Sequence, residues 1–329
     1  MMEQIKLTFL NVGYWEAILL EMPDASRQEG MFRALIDGGS AEMQEYEDRS
    51  SGRVPVWEYL RKENIGHLDL MICTHIHEDH ISGMRKAAQL LPPGEFWQTL
   101  PVSFYENMRI LDTSTAQNLS QDKFLHALND YKELCIQTVK QGGTIREVLG
   151  GQSMFVGEDG YLEILAPSGR EQEELEEALV ELYAEPDSKK FLQKLSGLDS
   201  RMNNYSMILR IVYQDRCVLL PGDTDCNGYR GIPRNKLQSH LFKIGHHGQK
   251  DGISRKLLEM ISPEAVVCCA SSDRRYESAH PDVVHMLEEA GIRQYFSDCP
   301  PTAKETVPPH RALRFIVARE QPMAGEYIS

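Results

Sequence analysis

The residues best suited to chemistry lie at positions 74–83, which read THIHEDHISG. This run holds three histidines and two acids between His75 and His80. His75 and His77 are two residues apart, so in an extended loop both imidazoles point to one side and can reach one metal ion. Asp79 and His80 open the next segment and can turn towards a second point. Because two ions about 3.5–4 Å apart can clamp the attacking and leaving oxygens of a displacement, this spacing predicts a two-metal site.

Such a site needs further ligands, and the candidates also follow predicted strands. Asp223 follows the strand RCVLL, where its carboxylate can bridge two ions, although a turn aspartate is the alternative. His246 and His247 follow the strand LFKI, and adjacent residues point in different directions. We therefore assign His246 to metal binding and His247 to substrate contact or proton transfer, with the choice between them left open. His280 follows another strand and is a candidate contact for a phosphate or leaving group.

The elements around these residues predict an α/β or a layered α/β/α fold, because strands and helices alternate. Residues 68–73 are predicted to form a buried strand, and a helix is predicted from near His80 to a stop at Pro92 and Pro93. The motif then lies on a loop at the carboxyl end of a strand. Further strands are predicted at 5–10, 16–22, 32–37, 206–213, 216–220, 240–244 and 265–270, a hairpin at 153–166, and helices at 53–64 and 281–290.

Two helical segments interrupt this pattern. Residues 120–141 show helical periodicity, and residues 170–197 are helical and strongly acidic. No clear linker surrounds them. We therefore interpret about 104–150 and about 168–200 as helical insertions on a single domain that spans residues 1–329.

Composition narrows the class of protein. The 329 residues are 41% hydrophobic and 26% charged, which is typical of a globular chain. The sequence shows no signal-peptide pattern and no long apolar run, so we expect a cytoplasmic location and no membrane partner. Seven cysteines occur without a CxxC pair, which argues against a disulfide framework and excludes a zinc ribbon.

The charge distribution bears on the substrate. A net charge of −14 does not suit a general nucleic-acid coat, which would carry a basic surface. Basic residues are nevertheless concentrated at 242–256, beside the histidine pair. We expect Lys250 and Arg255 in this run to bind an anionic substrate.

The order of these motifs resembles the metallo-β-lactamase fold superfamily, whose signature HxHxDH is represented by HIHEDH at 75–80. More closely, the chain resembles the hydrolase domain of the ComEC/Rec2 type, which belongs to a bacterial DNA-uptake channel protein. The matching stretches span most of residues 5–285 in the family's order, and they read NVGYWEAILL, LIDGG, THIHEDHISG, NNYSMILRI, LLPGDTD, KIGHHG and SAHP.

This resemblance implies an αββα sandwich with the site at the strand ends, and a phosphodiester substrate such as single-stranded DNA or a nucleotide. It implies two divalent ions, zinc or manganese. It also implies that one histidine of the 246–247 pair completes a ligand set formed by His75, His77, Asp79, His80 and Asp223.

Three departures from the family pattern matter. Asn203 and Asn204 stand where many superfamily members have a further histidine, which leaves fewer nitrogen ligands and favours tolerance of manganese. ComEC-like domains share these asparagines, and we expect Asn204 to contact the substrate. The family's VGQGDA reads VGYWEA at 12–17, so substrate contacts there should differ. No channel is predicted and the helical insertion is enlarged, so we do not extend the role in DNA uptake to this chain.

Our leading hypothesis is a metal-dependent phosphodiesterase or nuclease that acts through a metal-bound hydroxide. Asp79 would orient the nucleophile, and His280 would help to stabilise the added charge. The alternative keeps the fold and metals but takes a small substrate, such as a lactone, a thioester or a cyclic nucleotide. A third hypothesis is a partner-binding subunit that docks through the acidic helices at 170–197, although such a charge run is usually a solvated face.

Overall fold

The computed structural model of the chain describes residues 4–273 and 275–329 and contains two β-sheets flanked by helices. The strands of the first sheet are β1 (Ile5–Leu10), β2 (Ile18–Pro23), β3 (Met31–Ile36), β4 (Leu68–Ile72), β5 (Pro93–Gln98), β6 (Thr144–Glu147), β14 (Ala312–Val317) and β15 (Gly325–Ile328). Those of the second sheet are β7 (Ser153–Val156), β8 (Gly160–Ala166), β9 (Ile208–Tyr213), β10 (Arg216–Leu220), β11 (Leu241–Lys243), β12 (Ala265–Cys268) and β13 (Arg293–Phe296).

Strand direction explains where a site can form. The first sheet has the order β15-β14-β1-β2-β3-β4-β5-β6, and the pairs from β3 to β6 are parallel. The second sheet has the order β13-β12-β11-β10-β9-β8-β7, and the pairs from β10 to β13 are parallel. Residues that follow β3 and β4, and those that follow β10 and β11, therefore meet at one end of the molecule, where α/β sheets bind their ligands.

Helices cover the outer face of each sheet. The helices are α1 (Val56–Lys62), α2 (Glu78–Leu90), α3 (Phe104–Asn107), α4 (Leu119–Lys140), α5 (Gly169–Ala184), α6 (Ser188–Asp199), α7 (Arg234–Leu237), α8 (Arg255–Ile261) and α9 (Pro281–Glu289). The first six pack in one apolar cluster with the first sheet, and the last three pack against the second sheet. Within the described ranges, no helix has both the length and the apolar character needed to cross a bilayer.

The alternation of side chains along the strands builds these layers. Ile18 and Leu20 of β2 join the core between the two sheets, whereas Leu19 faces the helices. Such strands are buried on both faces, which is why β2 reads as a continuous apolar run followed by Glu21. The predicted fold class, a sandwich of two sheets between helical layers, is confirmed.

Several elements differ from the sequence expectation. Pro93 was expected to end a helix, but it opens β5, and the first position of a strand tolerates a residue without an N–H. The predicted helical run at 170–197 is two helices, separated at Pro186. The last three strands of the chain were not predicted from the pattern, and β6 lies inside the segment 104–150 that we interpreted as an insertion.

The first helical insertion packs directly on the helix that carries the motif, and the second packs on the first. Phe124 and Leu128 of α4 share one apolar cluster with Ile81 and Met84 of α2. The buried leucines of α5 and α6 belong to the same cluster. Since this core is continuous, we infer that the insertions fold with the rest of the chain as one unit.

A close approach between α2 and the loop after β3 places a buried carboxylate beside the motif. The N–H of Gly38 donates to the carbonyl of His80 at 2.8 Å, and the N–H of Gly83 donates to the carbonyl of Gly39 at 2.7 Å. A Cβ atom on Gly83 would collide with the carbonyl oxygen of Gly38. The glycine therefore allows the contact that holds Asp37 against the motif helix.

We expect Gly83→Ala to destabilise the protein by about 3 kcal/mol, because the loop or the helix must move to accept the methyl group. Gly197→Ala is the matched control, since Gly197 lies in α6 and a Cβ there has open space. The control should change stability by about 1 kcal/mol or less, in the stabilising direction. Urea unfolding followed by circular dichroism measures both, and equal effects would contradict the role of this contact.

Candidate metal centre and active site

The HIHEDH motif occupies the connection between β4 and α2, as expected from the sequence. His77 has extended backbone angles immediately before the helix, and Asp79 lies in its first turn. His75 and His80 are buried, so the motif lines the interior end of the sheets and does not form a surface loop.

Two residues from the motif meet two residues from the second sheet. The ligand atoms of Asp79, His80, Asp223 and His247 all lie within 4.8 Å of one another. Nε2 of His247 is 2.7 Å from Oδ2 of Asp223 and 3.2 Å from Oδ2 of Asp79. Nε2 of His80 is 3.3 Å and 3.4 Å from the same two oxygens. Two carboxylates and two imidazoles thus converge on one point, which is a donor set that suits a divalent ion.

The histidines are oriented as metal ligands are. Nδ1 of His80 is hydrogen-bonded to Oδ2 of Asp37 at 2.7 Å, and Nδ1 of His247 to the carbonyl of Cys269 at 3.0 Å. An acceptor on Nδ1 leaves the lone pair of Nε2 facing the cluster, as in carboxylate–histidine–metal arrangements. Nε2 of His80 is buried without a hydrogen-bond partner. An ion at the cluster would satisfy this nitrogen, so the residues present fit a metal.

His75 and His77 form a second pair of nitrogens beside this cluster. Nε2 of His75 is 3.1 Å from Nδ1 of His77, and the rings of His75 and His80 are 4.1 Å apart. The assignment of His75 and His77 to one ion, and of Asp79 and His80 to another, stays a prediction.

The structure distinguishes the two adjacent histidines, and their positions differ from our assignment of His246 to metal binding. His246, His247 and Gly248 all have positive φ angles, of 47°, 52° and 72°, in the left-handed region that is unfavourable for residues other than glycine. This turn sends His247 inward to the cluster. His246 instead points to the rim, where its Nδ1 is 2.9 Å from Oδ1 of Asp251. His247, and not His246, therefore lies with the candidate ligands Asp79, His80 and Asp223.

A buried lysine holds the aspartate from the second sheet. Nζ of Lys243 donates to Oδ1 of Asp223 at 3.0 Å and to the carbonyl of Gly222 at 2.7 Å, and it pairs with Glu16. Lys243 and Glu16 are both fully enclosed. Burial opposes the charge on Lys243, but Glu16 and Asp223 outweigh it and raise the pKa of the lysine well above its usual range. Oδ1 of Asp223 is thereby fixed, and Oδ2 faces the histidines.

The electrostatics of the cluster favour ionised groups. Burial opposes the charged form of Asp79 and Asp223, but the neighbouring histidines and, for Asp223, Lys243 lower the pKa of both carboxyls well below the usual value. Burial likewise opposes protonation of His247, yet Asp223 and Asp79 raise its pKa to about 9. A bound cation would take over the balancing charge that these protons supply.

Asp79 and Asp223 of the cluster line a cavity of about 710 Å³. The helical insertions form part of its wall through Asn118, Leu119, Ser120, Lys123, Phe124 and Asp199, and Tyr14 and Tyr276 also line it. Among the described residues that line it, Lys123 is the only lysine or arginine.

Sequence comparison finds a match to one family of domains. Residues 28–106 match the family model described as the metallo-beta-lactamase superfamily. The matched segment includes the HIHEDH motif at 75–80. Members of this superfamily usually bind two metal ions, in agreement with the cluster of histidines and aspartates.

Individual relatives are more distant. The chain is 22% identical over 303 residues to ComE operon protein 3 of Bacillus subtilis, a match that covers 89% of this chain and 32% of that protein. It therefore spans about a third of the length of this relative. Two similar solved structures are CmlA, a diiron β-hydroxylase from Streptomyces venezuelae (12% identity, TM-score 0.44, 97% of this chain and 55% of that chain) and a diphosphatase from the PhnP family (10% identity, TM-score 0.43, 88% and 94%).

Four residues that we expected at the site do not line the cavity. Lys250 is exposed and pairs with Asp282 at 2.7 Å, and Arg255 pairs with Glu289 on the surface. The positive charge of each is therefore paired with an acidic neighbour on the surface. Asn204 is exposed, and its neighbour Asn203 lines the cavity instead. His280 caps α9, where its Nδ1 accepts a hydrogen bond from the N–H of Asp282 at 3.1 Å.

Other residues of the site had no assigned role from the sequence. Asp37 is the last residue of the strand predicted at 32–37 and directly follows β3, and this place at a strand end was a usable signal. Lys123 and Asp199 lie within helices whose periodicity gives no sign of a site. The packing of α4 against α2, and of α6 against α4, brings these two residues to the cavity.

The inward position of His247 predicts that it, and not His246, is required for metal retention. We expect His247→Ala to lose one of two bound ions after dialysis, whereas His246→Ala should keep both. Metal content per chain, measured by inductively coupled plasma mass spectrometry on zinc-loaded protein, decides between them. Loss of an ion from His246→Ala alone would contradict the assignment.

Proposed function

We propose that the chain is a metal-dependent phosphodiesterase or nuclease. The observation that carries the proposal is the convergence of the Asp79–His80–Asp223–His247 cluster and the cationic side chain of Lys123 on one cavity. An anion that reaches the cluster also reaches Lys123. The resemblance of the motifs to ComEC-type domains points to the same class of substrate.

The chemistry divides between the ions and the chain. Divalent ions at such a site supply Lewis-acid charge and lower the pKa of a coordinated water towards neutrality. The chain's part is to hold and orient the donors. Asp223 is fixed through one oxygen by Lys243, and His80 is fixed through Nδ1 by Asp37. Donors fixed before the substrate arrives need no reorganisation during the reaction.

Lys123 is suited to hold a substrate oxygen that bears negative charge. Its Nζ lies 4.7 Å from the ring centre of Trp15 and 3.6 Å from Oε2 of Glu78. Burial raises the pKa of Glu78 to about 7, although Lys123 opposes this shift. Asn203, whose buried Oδ1 lacks a hydrogen-bond partner, adds an acceptor to the wall.

The dimensions and charge favour a nucleotide or a flexible single strand over duplex DNA. A cavity of about 710 Å³ is of the size that holds a small ligand. The net charge of −14 does not favour a long duplex, since phosphate contacts dominate nucleic-acid affinity. The same two facts support the second candidate function, hydrolysis of a small substrate such as a cyclic nucleotide, a lactone or a thioester.

Partner binding remains a separate proposal for the outward, acidic face of α5. The inward side of the insertions differs, because residues of α4 and Asp199 line the cavity. Removing the insertions would therefore test the site and a partner at the same time. Substitutions confined to exposed acids of α5, followed by pull-down and activity assays, separate the two.

Turnover should depend on a divalent ion and on a phosphodiester bond. We expect hydrolysis of bis-p-nitrophenyl phosphate, an oligonucleotide or a cyclic nucleotide with Mn²⁺ or Zn²⁺, and none with EDTA. Asp223→Ala should abolish it. A lactone and a thioester run in the same assay separate the second candidate. Turnover of these alone, at verified metal content, would refute the phosphodiesterase proposal.

We expect Lys123→Met to lower kcat/KM for an anionic substrate by about 10–100-fold, the effect of losing one hydrogen bond to a charged group. Lys123→Arg should retain most of the activity. Lys250→Met is the matched comparison, because Lys250 pairs with Asp282 on the surface, and its effect should stay below about twofold. A larger loss from Lys250→Met than from Lys123→Met would show that the substrate lies elsewhere.

A further inference from the structure

Of the four histidines in the motif and the cluster, three have the same arrangement of ring nitrogens. In each, one nitrogen faces the metal site and the other faces a fixed oxygen. Nδ1 of His80 meets Asp37 at 2.7 Å, Nδ1 of His247 meets a backbone carbonyl at 3.0 Å, and Nδ1 of His75 meets Oγ1 of Thr74 at 3.2 Å. These oxygens determine which nitrogen of each ring carries the lone pair.

The fourth histidine has its partner in the helical insertion. Nδ1 of His77 faces Nε2 of His75 at 3.1 Å, so Nδ1 lies on the metal side of the ring. Its Nε2 lies 3.2 Å from Oδ1 of Asp199 and 3.3 Å from the backbone carbonyl of the same residue. Asp199 ends α6 and is 122 positions away in sequence.

We propose that Asp199 is a positioning residue for the metal site: its backbone carbonyl accepts the hydrogen bond from Nε2–H of His77, its carboxylate lies against the same ring nitrogen, and Nδ1 is left as the metal-binding atom. The proposal deepens the proposed function and rests only on its metal site. It concerns the affinity for a metal ion, so it can be tested without any substrate.

Asp199 is held well enough to perform this role. The hydroxyl of Ser120, in the first turn of α4, donates to Oδ2 of Asp199 and leaves Oδ1 for His77. The side chain of Asp199 is 20% exposed, at the wall of the cavity. Leu195 and Leu198 anchor α6 in the apolar cluster. The carboxylate is therefore supported by both insertions.

The geometry favours this indirect role over direct coordination. A third ligand for an ion between His75 and His77 would have to face the same side as Nδ1 of His77. Asp199 contacts the opposite ring nitrogen. Its negative charge next to Nε2–H makes the imidazole a stronger donor at Nδ1. This contribution offsets part of what is lost where Asn203 and Asn204 replace a further histidine.

The test measures the affinity of the full-length, metal-free chain for Zn²⁺ in competition with a chromogenic chelator. We expect Asp199→Ala to weaken the binding of one ion by about 10–100-fold, the range for loss of a group that orients a ligand. Asp199→Asn keeps an acceptor oxygen and should lose clearly less. Asp187→Ala, which removes the aspartate that caps the other end of α6, is the matched control and should bind both ions normally.

A second readout separates orientation from direct coordination. With Co²⁺ in place of Zn²⁺, the visible absorption bands of Asp199→Asn should keep the wild-type pattern if the coordinating atoms are unchanged. Altered bands, with loss of one ion in both Asp199 variants, would show that Asp199 is itself a ligand and overturn the proposal. Unchanged Zn²⁺ affinity in Asp199→Ala would overturn it as well. If Asp199→Ala does not fold, Ser120→Ala is measured instead, and it should weaken the binding of the same ion to a smaller extent. Wild-type Zn²⁺ affinity in both Ser120→Ala and Asp199→Asn would then overturn the proposal.

Discussion

The negative charge of four converging carboxylates is the constraint on which the rest of the site depends. Glu16, Asp37 and Asp223 are enclosed, and Asp79 is open only towards the cavity. Carboxylates so close together cannot all stay ionised without nearby cations. Among the described residues, Lys243 is the one lysine or arginine that is fully enclosed among them. The remaining charge is met by protons on the buried histidines, or by divalent ions when they are bound.

This constraint explains why the architecture surrounds the site so completely. The loop after β3 supplies an oxygen to the motif, and the strands of the second sheet supply the facing aspartate and histidine. The helical insertions form part of the cavity wall and add Lys123, the one lysine or arginine among the described residues of that wall. Each layer of the sandwich therefore contributes to the balance of charge, and the insertions are part of the site as well as a cover for the sheet.

The sequence predicted what is local and missed what depends on packing. HIHEDH and Asp223 directly follow strands, and their convergence follows from strand direction alone. The choice between His246 and His247 depends on a left-handed turn that residue types do not reveal. Lys250 was placed by its charge, but an acidic neighbour holds it at the surface. Asp199 reaches His77 across 122 positions, through helix packing that no local pattern records.

The division of the ligands between the two sheets has a mechanical consequence. Asp79 and His80 follow a strand of the first sheet, whereas Asp223 and His247 follow strands of the second. An ion held by all four is a cross-link between the halves of the sandwich at one edge. Because such a site is absent from an unfolded chain, the free energy of binding adds to the free energy of folding. The ligands that would hold the catalytic ion would thus also stabilise the contact between the two sheets.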